Sequence, residues 1–122
     1  MREINCSVAI LKPRQPLLDW LLQLPDGGEE KFTLEELRQD CTVLLVPEAD
    51  DDEPHLRLIR SRCKEIFEAE LESWCTDETL WPSKRDFKTF RAWFDIEIHS
   101  LVVDMSDSGG DREKGNGEGR LH

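Results

Sequence analysis

The 122-residue chain contains no tyrosine, although it has four tryptophans and five phenylalanines. Hydrogen bonding by buried aromatics therefore falls to indole N–H groups, which can only donate. Positive charge is also scarce: 16 Lys and Arg stand against 27 Asp and Glu, a net charge of −11. So acidic a chain lacks the basic face that binding to a phosphate backbone requires, which excludes direct nucleic-acid binding by that route. It also disfavours an anionic membrane surface. Long apolar runs are missing too. The longest, Leu17 to Leu24, is interrupted by Asp19 and Gln23 and is far too short to span a bilayer. Residues 1–12 read as a strand and not as a basic-then-apolar leader, so the expectation is a soluble cytoplasmic protein.

Familiar catalytic and metal motifs are equally absent. The chain has no GxSxG elbow, no Gly-rich phosphate loop, no CxxC pair, and no HxH, HExxH or HxxxH spacing. Gly27-Gly28 follows a helical pattern, the wrong context for phosphate binding. The acids of Glu48 to Glu53 are consecutive and contain no glycine, unlike a calcium-binding loop. Cys6, Cys41, Cys63 and Cys75 each lie in or beside a different apolar pattern, so they read as reduced, mostly buried structural thiols. No catalytic residue, cofactor or metal is assigned.

What is present is hydrophobic periodicity. Residues Ile4 to Leu11 alternate as a period-2 strand. Pro16 opens a helix carrying Leu17, Trp20, Leu21 and Leu24, and Pro25-Asp26-Gly27-Gly28 stops it. Thr33-Leu34-Glu35-Glu36 is a capping box that starts a short second helix. Cys41 to Val46, rich in β-branched residues, reads as a buried strand. A long amphipathic helix then spans Leu56 to Trp74, with its arginines early and its glutamates late, against the helix dipole. Ser83 with Asp86 offers another capping box, opening a helix lined by Phe87, Phe90 and Phe94. Asp95 to Met105 reads as a final strand whose second half is deep in the domain.

The fold class is therefore α+β in the order β-α-α-β-α-α-β. Two helices between successive strands bring the chain back antiparallel, giving a small three-stranded sheet with helices on one face. Parallel strands joined by crossovers are the alternative. One domain covers residues 1–105. Residues 106–122 hold five of the seven glycines and one large apolar side chain, Leu121, so they read as a disordered tail.

Glu70 is the strongest lead to a site, because it lies on the apolar stripe of the long helix and an unpaired buried carboxylate costs several kcal/mol, about 3 or more. It either serves a pocket or accepts a structural hydrogen bond. Trp74 and Trp81 flank the polar segment Cys75 to Leu80, which reads as an aromatic-walled cleft with Asp77 and Glu78 at its rim. The plainer reading is two indoles plugging a gap between helices. Glu97 and His99 project from one face of the last strand and, with Glu70 or Glu48, form a candidate for a divalent metal. Pro47 to Glu78 carries eleven acids and four bases, either a solvated face or a docking surface for a basic partner.

Lys12-Pro13 to Trp20-Leu21, Pro47-Glu48, Glu70 to Trp74, Thr76-Asp77-Glu78, Leu80-Trp81-Pro82 and Phe94 to Ser100 together resemble a set of short bacterial proteins of uncharacterised function. The resemblance spans residues 4–105 and implies a bacterial, single-domain, cytoplasmic protein without transferring any site residue. These observations converge on a protein-interaction module of inhibitor, immunity or regulatory type, presenting an acidic face and a Trp-lined cleft to a basic protein. In it Glu70 and His99 form the polar floor of the cleft. The alternatives are a ligand- or metal-binding enzyme built around Glu70, His99 and Glu97, and a nucleic-acid mimic.

Overall fold

A computed structural model of the chain describes residues 1–25 and 32–106. The elements are β1 (Arg2–Glu3), β2 (Cys6–Pro13), α1 (Gln15–Gln23), α2 (Leu34–Leu37), β3 (Thr42–Pro47), α3 (Glu53–Ser61), α4 (Cys63–Trp74), α5 (Phe87–Trp93), β4 (Phe94–His99) and β5 (Val103–Asp104). A 3₁₀ turn covers Glu78–Leu80. The fold is α+β, with an antiparallel sheet in the order β3-β2-β4 and helices packed against it. The tail assigned to residues 106–122 lies, after Ser106, outside the described residues.

Two prolines set the hydrogen-bond phase of the sheet. Pro47 faces Cys6 and Pro13 faces Phe94, and neither proline can donate a backbone bond. Both pairs must therefore be of the non-hydrogen-bonded kind. It follows that Ser7, Ala9 and Leu11 bond to β3, while Val8, Ile10 and Lys12 bond to β4. Beyond His99 the register slips by one residue. Val8 faces His99, whereas Glu3 faces Val103 and the Ile4 N–H donates to Val102, so β1 and β5 continue the β2–β4 ribbon past an offset.

The inner face of the sheet supplies Ala9, Leu11, Val46 and Phe94 to the core, together with Leu17 and Leu21 of α1, Ile59 of α3, Phe67 and Leu71 of α4 and Phe90 of α5. Phe67 is the hub. Its ring meets Phe90, Trp93 and Phe94 edge-on, with centroids 5.7, 5.4 and 6.0 Å away. The outer face has no such cover, and Val43 and Leu45 remain 53% and 70% exposed.

Several expectations change here. The long helix is broken at Arg62, whose φ of −119° and ψ of 17° leave the helical region. Ser61 is the cause. Its hydroxyl donates to the Leu58 carbonyl at 2.7 Å, and the Arg62 N–H donates to Ile59 at 3.1 Å, one residue short of the α-helical partner. The break changes the dipole argument in part: Glu53 and Glu65 now occupy first turns and Arg60 a last turn, all favourable, while Lys64 in the first turn and Glu72 in the last turn of α4 still oppose the dipole. The strand at residues 41–46 is an edge strand in which only Val46 is buried, because nothing covers its outer side. The far end of the last strand is not deep: Leu101, Val103 and Met105 are exposed. Asp86 alone caps α5, accepting from the Thr89 N–H, whereas the capping box at Thr33 forms in full. Of the cysteines only Cys63 is buried, the other three being half-buried. Among the described residues no helix is long and apolar enough to cross a membrane.

Candidate functional site

The C-terminal end of α4 forms one wall of a groove of about 560 Å³. Glu72, Ser73 and Trp74 line that wall, Leu21 and Leu24 from the end of α1 face it, and Phe32, Asp77 and Leu80 complete it. Trp74 stands 43% exposed and meets Phe32 edge-to-face with centroids 5.6 Å apart. Two other indoles hold the groove in shape. Trp20 Nε1 donates to the Leu80 carbonyl and Trp81 Nε1 to the Cys75 carbonyl, each at 2.8 Å, which pins the 75–81 segment to α1 and to itself. Asp77 Oδ1 accepts from the Thr79 N–H and hydroxyl, and those bonds hold its carboxyl below the usual carboxylate range. A fixed anion thus sits at the rim of an aromatic groove.

The expected cleft is therefore present, though its membership differs. Trp74 and Asp77 line it. Trp81 does not; its half-buried ring lies under the Arg85 guanidinium at 5.8 Å, close to the plainer reading of a plugged gap. Glu78 occupies the exposed 3₁₀ turn outside the lining.

Glu70 lies one helical turn before Trp74 but belongs to a second groove. Its Oε2 accepts the Thr42 hydroxyl at 2.6 Å, at the start of β3. Burial raises its pKa above the ordinary carboxylate value, and the Thr42 bond opposes that rise only in part. Glu97 and His99 are elsewhere. They face Ile10 and Val8 across the sheet and so project from its outer face, whereas Thr42 faces buried Leu11 on the inner face. His99 Nε2 lies 2.6 Å from Glu97 Oε2, and Lys12 Nζ lies 2.8 Å from Glu97 Oε1. Lys12 and then His99 hold the Glu97 carboxyl below its usual range. The polar floor expected from Glu70 and His99 does not assemble, because the two lie beside opposite edge strands and on opposite faces of the sheet. Among the described residues no three His, Cys, Asp or Glu side chains come together as a metal site.

Sequence reasoning passed over Phe32 and Thr42. An apolar residue just ahead of a capping box was the available signal for Phe32. Nothing local marks Thr42, whose role arises from pairing across 28 residues. His55 lies in the first turn of α3, buried, with Nε2 2.9 Å from the Pro47 carbonyl. Compared with family models, with curated proteins and with solved structures, the chain matches none.

Proposed function

We propose that the chain is a protein-interaction module whose principal docking element is the Trp74 groove. One observation carries this reading: an indole left substantially exposed in a groove whose other two nearby indoles are fully engaged in hydrogen bonds to backbone. Aromatic anchors of this kind supply large contact area at low entropic cost when a partner covers them. Glu72 and Asp77 border the anchor, and the net charge of −11 attracts a basic surface from a distance. The partner is therefore a basic protein that inserts an apolar side chain beside Trp74 and sets cationic groups against the rim.

The test is affinity capture from lysate of the native source by the full chain at low and high salt, beside Trp74→Ala and a control with Asp50, Asp51 and Asp52 changed to Asn. The expected result is a basic protein bound at low salt, weakened by the asparagine control and lost with Trp74→Ala. Retention of the same protein by Trp74→Ala would overturn the assignment of the anchor. Finding no specific partner at either salt would overturn the interaction reading.

A further inference from the structure

The second groove has a different construction. Strand β3 is tied to the helices at both ends, through Thr42 to Glu70 of α4 and through the Pro47 carbonyl to His55 of α3. Between those ties lies an opening of about 290 Å³, walled by Leu44, Val46, Leu58, Ile59, Ile66 and Ala69. The proline-set phase of the sheet directs the backbone groups of Val43 and Leu45 away from β2, toward this opening. No backbone bond from another described residue reaches them. An unpaired edge with an apolar trough along it has the form of a site for β-strand addition.

The geometry points to an extended segment of a basic protein as the occupant, added antiparallel to β3, with apolar side chains in the trough and Lys or Arg at the flank beside the Pro47 end. Charge decides that flank. Glu48, Asp50, Asp51, Asp52 and Glu53 follow the Pro47 end, whereas at the Thr42 end Asp40 and Glu70 are accompanied by Lys12 and Arg38. Charge also argues against a second copy, because each chain carries −11. A segment basic at the Pro47 flank matches the acidic end. Its alternate residues, opposite Val43 and Leu45, exchange main-chain bonds and lie on the outer face beside those exposed side chains.

This surface is separate from the Trp74 groove, so either assignment can fail without the other. The experiment titrates the ¹⁵N-labelled full chain with a blocked peptide, Lys-Lys-Ile-Thr-Val-Thr-Ile-Lys-Lys, followed by amide shifts and hydrogen exchange. Its isoleucines and valine match the trough, and its threonines match Val43 and Leu45. The expected result is shifted and slowed amides at Val43 and Leu45. Affinity should fall about tenfold or more when both threonines are N-methylated, when the lysines become glutamates, or in Ala69→Arg, which fills the trough from an exposed position. Trp74→Ala should bind the peptide unchanged, and a native-like spectrum of Ala69→Arg checks that it folds. Absence of binding, equal binding of the N-methylated peptide, or shifts that avoid β3 would overturn the inference. Concentration-dependent shifts of Val43 and Leu45 without peptide would overturn it in favour of a second copy.

Discussion

At the scale of single residues, the chemistry of this protein is one of carboxylates in two kinds of surroundings. Asp77 and Glu97 are held by donors and kept below the ordinary range, whereas Glu70 is raised by burial. A carboxyl whose pKa is higher folded than unfolded penalises the fold above its folded pKa, and the penalty vanishes below the unfolded value. Glu70→Gln keeps an oxygen to accept the Thr42 hydroxyl and removes the charge. Its melting temperature should exceed that of the wild type near neutral pH, and the difference should close as pH falls through the ordinary carboxylate range. A lower melting temperature at neutral pH would mean that the ionised form is paired. Glu70 was legible as an anomaly from helical periodicity alone. Its partner was not, since periodicity orders residues around one axis and says nothing of which strand end arrives there.

Among the elements, the instructive one is the broken helix α3–α4. The apolar stripe of the amphipathic pattern continues across the break, with Ile59, Cys63, Phe67 and Leu71 all buried. No local signal marks the break, because Ser61 and Arg62 are tolerable helix residues, and the competing bond from the Ser61 hydroxyl to Leu58 shows only in the folded chain. Ser61→Ala removes that competitor, restores the ordinary bond from Arg62 to Leu58, and should stabilise the domain by about 0.5 kcal/mol. Urea unfolding measures this; a loss of stability would show instead that the break is needed for packing. The strands show a complementary limit. A β-branched run was read as buried, yet β3 is an edge with one uncovered face, because sheet order is a long-range property. Where the signal was local, as in the reciprocal capping at Thr33 and Glu36, the reading held.

For the whole molecule, the core and the proposed docking groove are spatially divided. The core gathers on one side of the sheet around Phe67, which is fully buried among three aromatic rings. Phe67→Ala should cost about 3–5 kcal/mol, a large share of the roughly 5–15 kcal/mol that domains possess. Loss of cooperative urea unfolding, or a midpoint lowered to match, would bear this out; a change under about 1 kcal/mol would contradict the placement of the hub. Trp74, by contrast, is free to be removed without emptying the core, and Glu72 and Asp77 line the groove beside it. The central claim is that a partner covers this indole. Its most direct test is the tryptophan emission of the full chain titrated with the captured basic partner at low salt. The account predicts a blue shift that saturates with binding and is absent in Trp74→Phe. An identical shift in Trp74→Phe, or binding with no change in emission, would contradict it.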